Sequence, residues 1–102
     1  MNIIGCPLKI SRNKKIYFPR LYLINYGIDT HDATVIRENH DDHYIYRPFK
    51  PRPLAENEEL VGIRVCSTYI PSSFLNRNHL TPWDDELYLV GLEDGLLVRV
   101  SK

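Results

Sequence analysis

Two short clusters combine histidine with carboxylates. His40-Asp41-Asp42-His43 brings two imidazoles and two carboxylates together, a set of groups that can bind a divalent metal. Asp29-Thr30-His31-Asp32 contains a histidine and two carboxylates, any of which can act as a general base. No nucleophile and no phosphate-binding loop accompanies either cluster, and both fall where turns are predicted. We interpret both as solvated turns and predict neither a metal nor a cofactor.

The remaining reactive side chains lack the surroundings that catalysis requires. Ser72-Ser73 has no nucleophile-elbow sequence around it. Cys66 falls in a predicted strand, where a cysteine is typically a small apolar core residue. The sequence contains no Walker loop, no HExxH and no paired CxxC. We therefore predict that the protein is not an enzyme.

Composition is that of a globular chain. The 102 residues (12.0 kDa) are 43% apolar and 25% charged, with a formal net charge of zero, which fits one compact domain rather than disorder. No apolar run reaches the roughly 18 residues that span a bilayer. The first ten residues have neither a basic leader nor a cleavage site. Cys6 and Cys66 lack metal-type spacing, so we expect reduced thiols in a cytoplasmic protein without membrane contact.

Charge is distributed unequally between the two halves. Up to Arg52 the chain has nine basic and five acidic residues, a balance of +4. Beyond Arg52 it has four basic and eight acidic residues, a balance of −4. The halves can attract each other, or the first half can present a basic face to an acidic ligand.

The two halves also resemble each other in sequence. A shift of 52 positions aligns identical residues without a gap: Leu8 with Leu60, Arg12 with Arg64, Tyr17 with Tyr69, Pro19 with Pro71, Leu23 with Leu75, Asp32 with Asp84, Asp42 with Asp94 and Arg47 with Arg99. Each aligned position has the same expected structural role. The shift therefore indicates an internal repeat.

Each repeat is predicted to contain strand, strand, helix, strand and strand. The first has strands at 3–10 and 15–18, a short helix that begins at Pro19 and stops at Gly27, and a hairpin at 33–47. The second has strands at 60–64 and 66–70, a helix from Pro71 to Asn78, and a hairpin at 86–100 across an Asp-Gly turn. We predict units at 1–47 and 60–102 joined by a proline-rich linker at 48–59. The fold is predicted as mainly β with two short helices; the alternative is an α+β domain.

The repeat resembles the swapped-hairpin domain of the SpoVT/AbrB superfamily, which includes AbrB-like regulators, MazE-type antitoxins and duplicated MraZ proteins. The half-motif is an apolar residue and proline, a short helix with an inward leucine, an aliphatic residue, and an aspartate thirteen residues after the proline. It is carried by Phe18, Pro19, Tyr22, Leu23, Ile28 and Asp32, and again by Ile70, Pro71, Phe74, Leu75, Leu80 and Asp84. The resemblance implies tandem β-β-α-β-β units that form one pseudo-dimeric barrel, as a monomer or homodimer.

The resemblance also implies a DNA-binding regulatory protein that contacts double-stranded DNA. The family uses basic residues in the loop between the first two strands and at the helix start. The corresponding residues here are Arg12, Asn13, Lys14, Lys15, Arg20, Arg64 and Arg77. Ser67 and Ser72 replace the second unit's counterparts of Lys15 and Arg20, so a symmetric basic footprint is not expected.

An alternative function is a protein-binding inhibitor or adaptor. Trp83 follows Pro82 and is succeeded by Asp84, Asp85 and Glu86. An exposed tryptophan beside acidic residues can anchor a protein partner. The same tryptophan can instead cover one end of the barrel, and both readings stay open. Tyr44 and Tyr46 alternate with Ile45 and are further candidates for a contact surface.

Overall fold

A computed structural model describes residues 5–101 and contains eight strands and two short helices. The strands are β1 (Cys6–Lys9), β2 (Lys15–Tyr17), β3 (Asp32–Asn39), β4 (His43–Pro48), β5 (Glu58–Arg64), β6 (Ser67–Tyr69), β7 (Glu86–Gly91) and β8 (Leu96–Val100); the helices are α1 (Arg20–Asn25) and α2 (Ser72–Arg77). The prediction of a mainly β fold with two short helices is confirmed. The first half of the predicted strand 3–10 includes positions outside the described residues.

All eight strands form one antiparallel sheet in the order β1-β7-β8-β4-β3-β5-β6-β2. The terminal strands of that order, β1 and β2, contact each other. The sheet therefore curls into a nearly closed, barrel-like structure. Near-closure leaves little unpaired strand edge, which otherwise invites pairing with other chains.

Strand pairing alternates between the two halves of the chain. β1 pairs with β7, and β5 pairs with β3. β2 pairs with β6, and β4 pairs with β8. Because most pairings cross from one half to the other, neither half completes the sheet by itself.

The elements of the two halves recur at the 52-residue spacing seen in the sequence. β2 and β6 begin and end 52 residues apart, and so do α1 and α2. Two equivalent backbone hydrogen bonds flank the β2–β6 pair: Phe18 N–H donates to Cys66 O (2.8 Å), and Ile70 N–H donates to Lys14 O (2.7 Å). The two ends of this pair thus carry one equivalent backbone hydrogen bond each.

Both helices end at a residue with positive φ. Gly27 follows α1 at φ 72°, as expected for a glycine that ends a helix. After α2 the left-handed residue is His79 (φ 55°), whereas the sequence predicts Asn78. Asn78 keeps φ −99°, and its amide donates to the carbonyls of Phe74 (3.0 Å) and Asp41 (2.9 Å). The asparagine thus supports the helix end with its side chain.

The core fills the barrel and includes residues from both helices and most strands. Its largest enclosed side chains are Tyr46, Phe74, Ile10, Ile16, Leu23, Ile36, Ile63, Ile70, Leu87, Leu89, Leu96 and Val35. Phe18 meets Tyr46 edge-on with ring centres 5.4 Å apart. Tyr44 and Tyr46 are both buried, so the expectation that they form a contact surface is wrong. β4 lies between β3 and β8, and its alternate residues point into the core.

The proline-rich segment is shorter than predicted. β4 extends through Pro48 and β5 begins at Glu58, which leaves 49–57 outside the strands. Pro48 still lies opposite Val35 of β3, but β8 pairs only with residues 43–46, so the other edge of β4 has no partner strand at Pro48. A missing N–H on that edge breaks no ladder. Arg52 donates to both oxygens of Glu58 (2.8 and 2.9 Å), and Ala55 N–H donates to the same carboxylate. These bonds lower the pKa of Glu58 to about 2.

Neither helix in the described part of the chain has the length and apolar character needed to cross a membrane.

Candidate functional site

The segment between β1 and β2 is a tight loop held by its own backbone. Ser11 N–H donates to Lys15 O (2.8 Å), and Lys14 N–H donates to Ser11 O (2.9 Å). Ser11 Oγ accepts from Lys15 N–H (3.0 Å). Lys14 adopts φ 64°. The loop therefore presents the exposed side chains of Arg12, Asn13 and Lys14 from a defined backbone.

Trp83 lies beside this loop. The backbone N–H of Trp83 donates to Ile10 O (2.6 Å), and the residue has φ 76°. Lys9 Nζ and the Arg12 guanidinium carbon each lie 5.1 Å from the ring centre, within cation–π range. The side chain is 52% exposed. The ring neighbours of Trp83 are therefore basic, whereas its sequence neighbours are acidic. Contact with a partner and cover of one barrel end both stay predictions for this residue.

The outer face of the β2–β6 pair continues the same surface. Lys15 lies opposite Tyr69 in the register, and its Nζ is 4.9 Å from the tyrosine ring centre. Tyr17 and Tyr69 are 55% and 62% exposed. Ile16 is buried on the opposite face. Alternation along these strands therefore exposes a lysine and two aromatic rings together.

The loop contacts the start of α2. Lys14 Nζ donates to Ser72 Oγ (2.7 Å). Arg20 instead begins α1, which follows the opposite end of β2, beside the Val65–Cys66 turn. The sequence groups Arg20 with the loop, but the interleaved strands place the loop against the other helix. We define the basic aromatic surface as Lys9, Arg12, Asn13, Lys14, Lys15, Tyr17, Tyr69, Ser72 and Trp83.

Arg64 and Arg77 differ in their relation to this surface. Arg64, Lys15 and Tyr69 line one open depression of ≈ 420 Å³. Arg64 Nε also lies 3.8 Å from Asp32 Oδ1, in an exposed ion pair. Arg77 ends α2 and lies 3.8 Å from the Asp41 carboxylate in the β3–β4 turn. Arg64 thus lies next to Lys15 and Tyr69 at the border of the basic aromatic surface, whereas Arg77 has its partner elsewhere.

The three acidic residues after Trp83 have separate roles. The Asp85 carboxylate accepts from Thr81 N–H (2.7 Å), and its carbonyl accepts from Ile10 N–H (3.4 Å). Glu86 pairs with Lys9 across β1 and β7. Asp84 is exposed. The sequence-predicted partner surface of Trp83 with three acids is therefore divided: Asp85 holds the turn, while Asp84 and Glu86 border the basic residues.

Part of the positive charge on this surface has no ion-pair partner. Arg12, Lys14 and Lys15 form no ion pair with any residue between 5 and 101. The nearby acids Asp84 and Glu86 form no ion pair with these three cations in that range. Positive charge that its own fold does not neutralise is available to an acidic ligand.

The histidine-carboxylate clusters are local structures. The rings of His40 and His43 stack with centres 4.2 Å apart, and they bond to different carboxylates, Glu38 and Asp42. The His40 bond is the main cause of the lowered pKa of Glu38, with Arg47 second. Asp29 accepts from the backbone N–H of His31, which lowers its carboxyl pKa. Within residues 5–101 no three metal-binding side chains are grouped.

Sequence reasoning did not assign Lys9 or Tyr69 to the site. Tyr69 aligns with Tyr17 in the 52-residue repeat, and both lie on the outer face of the β2–β6 pair. The repeat is therefore the signal that could have identified Tyr69. Lys9 reaches the site only because β1 runs beside β7 and the turn before β7 contains Trp83. No local sequence pattern predicts the contact between Lys9 and Trp83.

Comparison of the chain with protein-family models, with curated proteins and with solved structures found no match.

Proposed function

We propose that this protein is a small, non-enzymatic DNA-binding regulatory protein that contacts its ligand through the basic aromatic surface. The observation that carries the proposal is the grouping of Arg12, Lys14 and Lys15 without acidic partners beside the exposed Trp83. Phosphate oxygens are the ligand groups that lysine and arginine side chains contact most often on DNA. Asn13 adds a donor and an acceptor on the same loop.

We further propose that the chain is a tandem pair of swapped-hairpin units, at 1–47 and 60–102, joined through 48–59. The 52-residue recurrence of strands and helices and the pairing of β1 with β7 and of β5 with β3 support this proposal. In such an arrangement one chain supplies both halves of the barrel. We therefore expect a 12.0 kDa monomer by light scattering; a dimer would indicate that units pair between chains.

The proposed contact with double-stranded DNA is mainly electrostatic. Arg12, Lys14 and Lys15 neutralise about three phosphates, so log K should fall with log salt with a slope of roughly −2.7. Such a footprint gives modest affinity that weakens steeply between low and physiological salt. Of these three cations the second half keeps only Arg64, the counterpart of Arg12, since Cys66 and Ser67 replace Lys14 and Lys15. The expected contact is therefore one-sided.

Fluorescence anisotropy with a mixed-sequence duplex tests the proposal. We expect the Lys14→Ala/Lys15→Ala variant to bind more weakly and with a salt slope shallower by about 1.8. Lys50→Ala is the matched control, since Lys50 is exposed in the 49–57 segment and should leave the slope nearly unchanged. Absence of duplex binding at low salt, or equal loss in both variants, would contradict the proposal.

A second candidate function is binding to a protein partner, and a different surface favours it. Leu21 and Ile24 lie one helical turn apart on α1 and are 76% and 53% exposed. Val65 (67% exposed) lies in the turn beside α1. Together with the exposed Arg20, these residues form what we call the apolar end. Its chemistry fits a protein with an apolar patch bordered by an acidic group.

Retention of a partner by wild type, and its loss with Leu21→Ser/Ile24→Ser, tests this candidate. The comparison is a pull-down from the cells of origin followed by mass spectrometry, with Ser73→Ala/Asn76→Ala on α2 as the matched control. Equal recovery of every protein by the three baits would exclude the candidate.

A further inference from the structure

We infer that the basic aromatic surface takes single-stranded nucleic acid in preference to a duplex, with unpaired bases stacked on Tyr17, Tyr69 and Trp83. The inference rests on the proposed function and adds the form of the ligand. Cations alone do not distinguish a single strand from a duplex, because both present phosphates. The exposed aromatic rings make the distinction.

Three aromatic side chains on this surface are each more than half exposed, at 52%, 55% and 62%. In a duplex the flat faces of the bases are already stacked on one another, and rings on a sheet face cannot reach them. In a single strand those faces are free and stack on aromatic side chains whatever the sequence. Rings interleaved with cations are therefore complementary to an unpaired strand.

The register of β2 and β6 places the two tyrosine rings and Lys15 next to one another on one sheet face. Tyr69 lies opposite Lys15, and Tyr17 lies opposite Ser67, so the two tyrosines are diagonal neighbours about 7–8 Å apart. Ser67 is a small, buried residue whose Oγ donates to Arg64 O (2.7 Å), so its hydroxyl is already bonded within the fold. Phosphates on either side of stacked bases would meet Lys15 and Lys14.

A depression beside Tyr69 gives one base room to enter. It has a volume of ≈ 420 Å³ and is lined by Lys15, Gly62, Arg64, Ser67, Thr68 and Tyr69, within the range of roughly 300–1,000 Å³ typical of small-ligand sites. A Cβ placed on Gly62 would have no atom within 4 Å. The backbone at Gly62 thus faces open space, and Arg64 supplies a cation to the lining of the depression.

Trp83 extends the stacking surface beyond the β2–β6 pair. Lys9 and Arg12 lie over its ring. When a strand binds, these cations contact phosphates and the ring face becomes available to a base. Because Trp83 is the sole tryptophan of the chain, its fluorescence reports directly on this step.

Anisotropy with one labelled sequence, presented as single-stranded DNA, as single-stranded RNA and as a DNA duplex, tests the inference. We expect wild type to bind a single strand about tenfold or more tightly than the duplex, with quenching of Trp83 fluorescence. Tyr17→Leu/Tyr69→Leu should lose single-strand affinity by tenfold or more and leave duplex affinity nearly unchanged. Phe49→Leu, which alters an exposed ring in the 49–57 segment, is the matched control.

The outcomes separate this inference from the proposed function. Duplex binding equal to or tighter than single-strand binding, with no effect of the tyrosine variant, overturns the inference and leaves DNA binding intact. Binding to none of the three ligands overturns both. Preference for single-stranded RNA or for single-stranded DNA supports the inference and identifies the strand. If a single strand still quenches Trp83 fluorescence in the Tyr17→Leu/Tyr69→Leu variant, the variant is folded and its remaining aromatic contact, Trp83, still binds.

Discussion

The two ends of the β2–β6 pair share an equivalent backbone hydrogen bond and differ in chemistry. At one end the loop from Ser11 to Lys14 meets α2, and Lys14 O accepts from Ile70 N–H; at the other the Val65–Cys66 turn meets α1, and Cys66 O accepts from Phe18 N–H. The first end is basic, with Arg12, Asn13 and Lys14 at its tip. The second end is apolar, with Val65, Leu21 and Ile24 exposed.

The helices show the same contrast position by position. Leu21 and Ile24 of α1 correspond to Ser73 and Asn76 of α2 at the 52-residue spacing. Both members of each pair are exposed, so burial does not account for the difference. The corresponding helix positions thus carry apolar side chains at one end and polar side chains at the other, and our two proposals assign these ends different ligands. We expect nucleic acid at the basic end and, under the second candidate, a protein at the apolar end.

The largest expected effect comes from neutralising the basic end. Arg12→Ala/Lys14→Ala/Lys15→Ala should reduce duplex affinity at low salt by at least about tenfold and make the salt slope shallower by about 2.7. Leu21→Ser/Ile24→Ser, at the opposite end, should change neither quantity. Anisotropy across a salt series measures both. If the apolar-end variant lost DNA affinity to the same degree, the division of function between the ends would be wrong.

The next largest effect is expected on the free energy of unfolding, when the residues that end the two helices are substituted. Gly27 has φ 72° with open space around its Cβ position, so Gly27→Ala should destabilise the fold by about 1–2 kcal/mol through backbone strain alone. His79 occupies the equivalent position at φ 55°, so His79→Gly should stabilise by up to about 1 kcal/mol. Urea unfolding measures both changes. The same sign for the two variants would show that the helix ends are not equivalent.

A smaller effect is expected at the Val65 turn. Val65 is a β-branched residue at φ 49°, a conformation that asparagine tolerates better. Val65→Asn should stabilise the protein by about 1 kcal/mol, or roughly 4–8 °C in Tm for a domain of this size. Calorimetry provides the measurement. If this valine is retained for contact with a protein, the stabilised variant should bind that partner less well; a lower Tm would contradict the strain argument.

The smallest effect concerns the segment that joins the halves. Glu58 has its pKa lowered to about 2, mainly by Arg52 and then by Ala55 N–H, against about 4.3 in an unfolded chain. A lowered pKa stabilises the fold above pH 4.3, and that contribution is lost as the pH falls toward 2. Hydrogen exchange at Ala55 should therefore accelerate across that range relative to the trend at Lys14. Glu58→Gln should abolish the acceleration, and its persistence in that variant would exclude the Arg52–Glu58 bridge as the cause.

Much of the fold could be predicted because the signals are local. Pro19 and Pro71 mark the helix starts, Gly27 marks one helix end, and alternating apolar residues mark the strands. Gly95 was predicted for a turn, but it lacks a positive φ. It is instead needed because a Cβ there would lie 2.6 Å from Tyr46 O, a close approach between β8 and β4 that no local pattern indicates.

The candidate site was predicted only in part because it depends on pairing between distant strands. The cations Arg12, Lys14 and Lys15 follow from the resemblance to the swapped-hairpin domain, which uses basic residues in this loop. Their neighbours were not predicted, because Trp83 reaches the loop through a bond to Ile10, and Ser72 reaches Lys14 across 58 residues of sequence. Trp83 was assigned to an acidic surface because its sequence neighbours are acidic, whereas its ring neighbours are Lys9 and Arg12.

A nitrogen–proton NMR titration of the labelled protein with a short oligonucleotide tests the central claim most directly. The account predicts chemical-shift changes at the basic aromatic surface, centred on Arg12, Lys14, Tyr69 and the Trp83 indole, with Leu21, Ile24 and Val65 unmoved. Shifts centred on the apolar end, or none at low salt, would contradict it.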